Sequence, residues 1–549
     1  MSGRVSTTAL VAVREVLRNA AIRRIEIAWT AGTAADGAFL VVLLVVAYDA
    51  GGALAAGILG AIRVVPWIVS APFAPRLVVR YRGDRVLSAI NAVRSLGAIA
   101  TAAVVAAELP IELTYVLAAV VAGAGSLVRP IQTALLPALA RSPRELVAAN
   151  VASSMGEGLG TFGGPLLAGI LIATTGSVAA SVLVAAIFAA AAAAVTGIRF
   201  ERVADARGGA DAETRRPRLS EAPRVMRRYP AALLVIGDFT AQVTIRGLLF
   251  TLVVVGSNEL LDMGDTGVGL LTAAIGLGGL AGAAGALGLS GGRGLGRVFV
   301  VSLAAWGLPL ALIGAVPVPA VALAALFATG VSNAVLDVSG FTLMQRGVSN
   351  EDRVTVFAAS ESLWGTGLLV GSLLAPALIA IFGPRGAFLA AGAFLPLLAI
   401  VTWRPIARGS QATSDTEAHL ALLRRNPLFA PLPLTALDRL SEGLAPVAFG
   451  PGDVLMRQGD AGDRYVLIAE GEVEVSVDGR HLRTCGPGEG IGEIALLRRV
   501  PRTASVFAKT EVSAFEIDGA AFLAAVSGPA AAAAAEAVAT ARLESSRAE

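Results

Sequence analysis

A segment near the end of the chain, "IGEIALLRRVPRTASVFA" at residues 491–508, combines groups suited to binding a phosphate ester. Gly490 and Gly492 permit a tight turn. The letters "EIALL" are then expected to begin a short helix, whose unbonded N–H groups attract phosphate. Arg502 could offer a planar fork of donors to a phosphate oxygen. Glu493 is misplaced for an anion site unless it accepts hydrogen bonds from a sugar hydroxyl group. Phosphate and ribose together predict a nucleotide.

The same segment resembles the phosphate-binding cassette of cyclic nucleotide-binding domains, in "IGEIAL" and then "RTASVFA". The resemblance implies that Glu493 holds the ribose 2′-hydroxyl and that Arg502 holds the cyclic phosphate. The nucleotide-binding residues that it predicts are Gly492, Glu493, Ile494, Ala495, Arg502, Thr503 and Ala504. A threonine after the arginine occurs in sites for either base, so Thr503 does not decide between cyclic AMP and cyclic GMP. Cyclic AMP is favoured. A degenerate fold without a ligand is the alternative.

The composition excludes a soluble enzyme for most of the chain. Of 549 residues, 55% are apolar and 15% are charged, whereas soluble proteins carry about 45–50% and about 25%. A single cysteine, Cys485, excludes a disulfide framework, and two histidines argue against a multi-His metal site. The sequence shows no nucleophile with a nearby base and no Walker loop. We therefore expect no enzyme, metal or cofactor, and the net charge of +3 indicates no nucleic-acid partner.

Apolar stretches recur up to Pro405, each long enough to cross a bilayer, which takes about 20 helical residues. Any one of them could be a buried core helix, but a succession separated by short polar links favours membrane spans. The fold class expected is an all-α polytopic membrane protein with a small β-roll domain. The twelve predicted spans are 25–47, 52–75, 86–107, 112–136, 150–173, 177–197, 230–256, 266–289, 297–316, 319–342, 354–381 and 385–403.

The arginines predict the orientation of these spans. Links after even-numbered spans are rich in arginine, as in Arg82 and Arg85, whereas links after odd-numbered spans hold mostly acids, such as Glu108 and Glu259. Arg385 breaks the pattern. By the positive-inside rule, the even-numbered links and both termini face the cytoplasm, and the protein is a multi-pass protein of the cell membrane.

The chain is therefore expected to fall into six parts. Two membrane halves are indicated by the similarity of residues 133–150 to residues 341–358, and repeated halves are common in secondary transporters. The parts are a first half (1–197), a cytoplasmic linker (198–229), a second half (230–405), a linker (406–416), the β-roll (417–527) and an Ala-rich lid helix or tail (528–549).

Span five carries small residues that let two helices approach closely, with a proline that bends the helix. They are Gly160, Gly164, Pro165 and Gly169. This pattern resembles the antiporter motif of the Major Facilitator Superfamily, with Ala168 replacing one glycine, and residues 20–403 resemble that superfamily. The phrase "TALLPALA…ELVAANVASS…GGPLLAG" is similar to its branch of enterobactin exporters and macrolide efflux proteins. Pro75 stands near the aspartate that this superfamily has between spans two and three. Simple helix packing is the alternative interpretation of the glycines.

Ionisable side chains within spans are costly and usually face a cavity or a partner. They could form a proton or substrate relay, or else structural pairs between neighbouring helices. The candidates are Asp36, Arg63, Arg129, Glu157, Asp238, Arg246, Asp337 and Glu361.

The function expected is a secondary active transporter in the lipid bilayer. It would be a proton-coupled exporter of a small amphiphilic compound by alternating access, regulated by a cyclic nucleotide. The alternative is a membrane-anchored cyclic nucleotide receptor that does not transport. The identity of the substrate and the oligomeric state stay open.

Overall fold

The structure is a computed structural model that divides into two compact units, Met1–Ser410 and Gln411–Glu549, each described here by itself. The residues that the structure describes are 19–70, 81–140, 143–198, 222–286, 294–349, 352–432, 436–437, 440–441 and 443–526. Several predictions lie outside them, namely those for Pro75, for most of the 198–229 linker and for the 528–549 tail.

The first unit is built from α-helices, as the recurring apolar stretches predict. A π-helical turn, Gly256–Leu260, follows the seventh of them. The helices are α1 (Ala20–Ser70), α2 (Gly83–Ala106), α3 (Ile111–Ser126), α4 (Val128–Leu139), α5 (Pro143–Val195), α6 (Ala222–Met226), α7 (Pro230–Val255), α8 (Gly264–Ala286), α9 (Leu295–Ala315), α10 (Pro319–Gly347) and α11 (Arg353–Arg425). We call α1–α5 the first half and α7–α11, as far as residue 408, the second half.

Three of these helices are broken by glycines in the left-handed region, where other residues would be strained. The breaks lie at Gly52 in α1, Gly176 in α5 and Gly383 in α11, with φ values of +60°, +84° and +67°. Among the described residues, nine helices are long and apolar enough to cross a membrane. Each broken helix is long enough to hold two of the predicted spans. The fold class is confirmed, whereas the count of twelve spans stays a prediction.

The last long helix continues beyond its apolar part. Residues 406–416, which the sequence assigns to a linker, are helical as part of α11. α11 runs through four prolines, of which Pro405 is the last, and the next proline in the chain is Pro427. α11 ends at Arg425, two residues before Pro427.

The second unit contains two four-stranded antiparallel sheets, as expected for a β-roll. One sheet has the order β1-β8-β3-β6 and the other has the order β2-β7-β4-β5. Two short helices, α12 (Glu493–Arg498) and α13 (Gly519–Ala525), follow β6 and β8. The strands are β1 (Ala445–Phe449), β2 (Val454–Met456), β3 (Arg464–Glu470), β4 (Val473–Val477), β5 (Arg480–Cys485), β6 (Gly490–Ile491), β7 (Ser505–Ala508) and β8 (Val512–Asp518).

Strand β3 is buried on both faces, because successive side chains of a strand point to opposite sides. Val466 and Ile468 pack in the cluster that fills the roll. Tyr465 and Leu467 pack against the flanking helices, where the Tyr465 ring stacks on Phe522 with centroids 4.8 Å apart. This strand therefore joins the roll to its helices and fixes the frame on which β6 and α12 are held.

Candidate nucleotide site and membrane cavity

The β-roll contains a cavity of about 100 Å³, and all seven predicted nucleotide-binding residues line it. They come from α12, from the turn before it and from the loop that leads to β7. Apolar side chains of β2, β4 and β7 also line the cavity, among them Met456, Val475 and Val506. The predicted residues thus surround one cavity, and apolar side chains complete its wall.

The turn before α12 requires glycine. Gly492 has a φ of +97°, in the left-handed region. A Cβ atom at this position would also collide with the Arg502 guanidinium and approach the Arg464 carbonyl and Met456 within 3.0 Å. The absence of a side chain at Gly492 therefore lets Arg502 lie directly behind the turn.

Arg502 is buried and held in one orientation, with 6% of its surface exposed. Its Nη1 donates to the Gly492 carbonyl at 3.2 Å, and its Nη2 donates to the Arg464 carbonyl at 2.8 Å. Burial lowers the pKa of the Arg502 guanidinium, and the carboxylate of Asp463, 3.8 Å from Nη2, opposes that shift. An arginine stays charged in proteins. An anionic ligand beside Arg502 would therefore offset the free-energy cost of burying its charge.

Glu493 is also buried, with 2% of its surface exposed, and it interacts electrostatically with Arg502. It is the first residue of α12, directly after Gly492. A buried carboxylate beside a buried guanidinium gives one acceptor and one cationic donor on the same wall of the cavity. This pairing suits a ligand that carries both a hydroxyl group and a phosphate.

One charged residue of this cavity was missed by the sequence analysis. Arg483 of β5 lines it together with its neighbour Leu482. No motif marks Arg483, because its place depends on the pairing of β4 with β5 and not on its own sequence neighbours.

A cavity of about 370 Å³ lies between the two halves of the first unit. Its walls are mainly apolar, with Leu40 and Leu44 from α1 and Phe250 from α7. Arg246, which the sequence predicts, contributes a polar group to this cavity. Asn333 contributes another, and the sequence analysis missed it. The cavity combines an apolar surface with a cationic group, as a site for an amphiphilic molecule would.

Asn333 joins two of the predicted ionisable residues. Its side-chain carbonyl accepts hydrogen bonds from Arg246, from Trp306 Nε1 at 3.1 Å and from Gln242 Nε2 at 3.4 Å. Its amide donates to Asp337 Oδ2 at 2.9 Å, and Arg246 interacts electrostatically with Asp337. Arg246 is therefore positioned by a network that reaches from α7 to α9 and α10.

A second cluster contains residues of both halves. Arg129 Nη1 lies 2.9 Å from Glu157 Oε1, which links the start of α4 to α5. Glu361 of α11 interacts electrostatically with the same guanidinium. Three of the predicted residues thus form a set of two carboxylates and one cation, which we call the Arg129 cluster.

Asp36 and Arg63 belong to a third group. Asp36 forms an ion pair with the buried Arg94, and Arg63 interacts electrostatically with both. The Arg94 guanidinium also lies over the Phe188 ring, 4.1 Å from its centroid. Arg94 was missed, although it is an ionisable residue within a span and the same criterion would have found it.

Asp238 lies apart from these groups. It is 2% exposed and accepts a hydrogen bond from Thr402 Oγ1 at 2.9 Å, between α7 and α11. A carboxylate that the sequence analysis missed, Glu26 of α1, is buried in a comparable way. Its partners in the described part of the chain are neutral, Ser153 Oγ at 2.7 Å and Gln132 Nε2 at 3.5 Å.

The glycines of span five lie at close helix contacts. Cβ atoms at Gly160 and Gly164 would run into the backbone of α1 at Ala34. A Cβ atom at Gly37 of α1 would lie 2.9 Å from Pro165. Gly169 instead faces α8 of the other half, where its Cβ atom would lie 3.0 Å from the Gly269 Cα atom. This stretch of α5 therefore packs against both halves.

Metal-binding groups are not found among the described residues, where no three His, Cys, Asp or Glu side chains could hold an ion. Both sites consist of organic side chains and backbone groups.

Comparisons with known proteins agree with this division into a membrane part and a β-roll. A model of the cyclic nucleotide-binding domain matches residues 446–528. One similar solved structure is the regulatory domain of Toxoplasma gondii PKA with cAMP, at 28% identity, covering 20% of this chain and 44% of that chain with a TM-score of 0.20. Another is a mutant regulatory subunit of a cAMP-independent protein kinase A from Trypanosoma brucei bound to cAMP, at 28% identity, covering 23% and 47% with a TM-score of 0.20.

These two matches involve less than half of the length of either solved chain. For the membrane part, a model of the Major Facilitator Superfamily matches residues 27–294 and 289–449, which is more than half of the chain. The protein therefore belongs to the Major Facilitator Superfamily and carries a C-terminal cyclic nucleotide-binding domain.

Proposed function

We propose that this protein is a proton-coupled exporter of a small amphiphilic compound, and that a cyclic nucleotide bound to the β-roll on the cytoplasmic side regulates it. The observation that carries the transport proposal is the cavity of about 370 Å³ between the halves, with Arg246 and Asn333 set into apolar walls. The resemblance to the enterobactin exporter and macrolide efflux branch supports export as the direction.

Three contacts between the halves lie towards the same end of the spans that they join. Tyr48 donates to Glu259 Oε1 at 2.7 Å, joining the end of the first predicted span to the end of the seventh. Gly57 packs against Pro376, and Gly169 packs against Gly269. All these residues lie in the halves of their spans that face outside if the arginine-rich links are cytoplasmic. We assign the structure to the inward-facing state of an alternating-access cycle.

Replacing Tyr48 with phenylalanine is expected to favour the outward-facing state. The lost hydrogen bond is worth about 1 kcal/mol, which changes the ratio of the two states about fivefold. The reaction of a Leu44→Cys variant with a membrane-impermeant maleimide outside intact cells should therefore become several-fold faster. Leu44 lines the cavity, so its reaction reports outward opening.

Tyr115→Phe is the matched control for this change. The Tyr115 hydroxyl donates to the Ala55 carbonyl at 3.3 Å, within the first half. The labelling rate should not rise in this variant. An equal rise in both variants, or no rise with Tyr48→Phe, would show that the Tyr48–Glu259 contact does not hold the outer side closed.

The Arg129 cluster supports proton coupling. Two carboxylates, Glu157 and Glu361, interact with one guanidinium. A proton can neutralise one of them while the other keeps an ion pair with Arg129. Glu361 belongs to the second half, so its protonation would weaken an attraction between the halves and couple proton uptake to their movement.

Neutral variants of the carboxylates test this coupling. Glu157→Gln and Glu361→Gln are expected to reduce the pH-gradient dependence of transport at least about tenfold, in the range that removal of a functional proton-transfer group gives. Asp36→Asn should also alter the pH-gradient dependence, because it removes the ion pair with Arg94. Asp238→Asn should change this dependence least, because Asp238 is hydrogen-bonded to Thr402. Proteoliposomes with a panel of amphiphilic fluorescent dyes and an imposed pH gradient provide the measurement. Unchanged coupling in all four variants would rule out the proton relay.

Regulation requires that the nucleotide bind the two states of the carrier with different affinities, and such coupling is typically about 1–3 kcal/mol. The β-roll provides the nucleotide-binding site, with Arg502 and Glu493 buried on one wall of its cavity. The membrane part supplies the two states, of which this structure represents the inward-facing one.

A further inference from the structure

The cavity between the two membrane halves has a single charged side chain among the described residues that line it, Arg246 of α7. No aspartate or glutamate occurs among these lining residues. The neutral polar ones are Ser154, Thr161, Thr272, Trp306 and Asn333. The wall is therefore positively charged at Arg246, and a cavity lined by one sign of charge within apolar walls concentrates ligands of the opposite sign.

The hydroxyl groups of this wall are already used as donors. Ser154, Thr161 and Thr272 each donate to the carbonyl oxygen four residues earlier in the same helix, at 3.1, 2.8 and 2.7 Å. Trp306 Nε1 donates to Asn333 Oδ1 at 3.1 Å. Arg246 is therefore the main donor that the cavity can offer to a ligand.

Arg246 uses only part of its donor capacity within the protein. Its Nη2 donates to the side-chain carbonyl of Asn333, which also accepts from Trp306 and Gln242. That oxygen has two lone pairs, so three donors already share it. The Nε and Nη1 atoms of Arg246 donate to no acceptor in the described part of the chain. An oxyanion would supply these acceptors, because its oxygens match the planar fork of a guanidinium.

Two carboxylates lie close to the cavity in the sequence, but neither lines it. Asp337, one helical turn after Asn333, accepts from the Asn333 amide at 2.9 Å and attracts Arg246 from outside the cavity. Glu157 of α5 forms an ion pair with Arg129, at 2.9 Å. Within the cavity, the described residues thus leave the charge of Arg246 to be compensated by a ligand.

We propose that this cavity binds amphiphilic monoanions and that these are the substrate class of the carrier. The oxyanion head group binds Arg246, and the apolar part of the molecule lies against side chains of both halves, such as Leu40 and Phe250. This inference rests on the proposed transport function and narrows its substrate class. The cavity volume of about 370 Å³ lies near the lower end of the range for small-molecule sites, about 300–1,000 Å³, so the apolar part is small.

Three naphthalene compounds of similar size test the charge of the head group. Naphthalene-2-sulfonate is an anion, naphthalene-2-sulfonamide is its neutral counterpart, and trimethyl(2-naphthyl)ammonium is a cation. Equilibrium dialysis against the full-length protein in nanodiscs, corrected with empty nanodiscs, measures their affinities. The sulfonate should bind about tenfold or more tightly than the other two, as a hydrogen bond to a charged group provides.

Removing the charge of Arg246 should abolish this preference. In Arg246→Gln, the sulfonate should bind about tenfold more weakly, whereas the sulfonamide should stay within about twofold because the apolar walls are intact. Arg246→Lys keeps the charge without the planar fork and should bind the sulfonate with an intermediate affinity. Arg297→Gln is the matched control, since Arg297 of α9 is exposed and is not among the lining residues. It should leave all three affinities unchanged.

Asn333→Asp provides an independent test, because it adds a carboxylate of nearly the same size beside an intact Arg246. The sulfonate should bind about tenfold more weakly, since like charges repel and the new carboxylate competes for the guanidinium. The ammonium compound should bind more tightly, which is a gain that misfolding would not produce.

Equal affinities of the unaltered protein for the sulfonate and the ammonium compound would overturn the inference, and so would a sulfonate preference that survives Arg246→Gln. Transport of the same compounds by proteoliposomes separates the inference from the proposed function. Transport of the ammonium compound without the sulfonate would overturn the anionic substrate class and leave a transporter. Tight sulfonate binding without transport of the sulfonate or of any dye would overturn the transporter and leave the anion site standing.

Discussion

Replacing Arg502 with alanine is expected to weaken cyclic nucleotide binding by at least about 100-fold, a loss of about 3 kcal/mol. The guanidinium is buried and fixed by the Gly492 and Arg464 carbonyls, so it meets a phosphate without reorganisation. Hydrogen bonds to charged groups are worth about 1.5–3 kcal/mol each, and a fork of two is lost. Calorimetry on the full-length protein measures the change.

Two further variants make this result interpretable. Arg502→Lys keeps the charge but not the planar fork, and it should bind with an intermediate affinity. Arg480→Ala removes an exposed arginine of β5 and should bind like the unaltered protein. The truncation also removes one hydrogen bond from each of two carbonyls, so the unfolding temperature of the β-roll should be recorded for each variant. A folded Arg502→Ala protein with undiminished affinity would contradict the assigned phosphate site.

Replacing Gly269 with valine is expected to prevent the outer side of the carrier from closing. A Cβ atom at Gly269 would lie 2.7 Å from the Gly169 amide nitrogen. Backbone cannot move aside as a flexible side chain can, so α5 and α8 must separate. Transport should fall at least about tenfold, in line with the loss of a required conformational step, and a cysteine at Leu44 should react faster from outside.

The control for this change lies in the same helix. A Cβ atom at Gly285 would meet nothing within 4 Å, so Gly285→Val introduces the same helix propensity without a contact. Transport and labelling should stay within about twofold of the unaltered protein, as expected for an exposed substitution. If Gly269→Val transports normally, the contact between α5 and α8 is not part of the closed outer side.

The sequence could predict that these nucleotide-binding candidates lie together, because they are neighbours in the chain. Gly492, Glu493 and Arg502 lie within one turn, one short helix and one loop, so their spacing nearly fixes their geometry. Arg483 could not be predicted, because its direction depends on a bulge in the pairing of β4 with β5. Such pairing irregularities leave no mark on the sequence of the strand itself.

The membrane cavity was predicted less completely. Arg129 and Glu157 could be recognised as costly charges within spans, and the structure brings them together. Asn333 could not be singled out, because a neutral amide within a span is common and its role depends on three donors from other helix positions. The contact of Tyr48 with Glu259 joins residues 211 positions apart, which no local pattern indicates.

The central claim is that a nucleotide in the β-roll changes the equilibrium of the carrier between its two states. Right-side-out vesicles loaded with cyclic GMP or cyclic AMP, or with neither, allow the maleimide reaction of Leu44→Cys to be followed from outside. We expect a saturating nucleotide inside to change the reaction rate about fivefold or more, in the range of typical allosteric coupling. The effect should vanish in Arg502→Ala and with nucleotide outside only. The same rate with and without trapped nucleotide would contradict the claim.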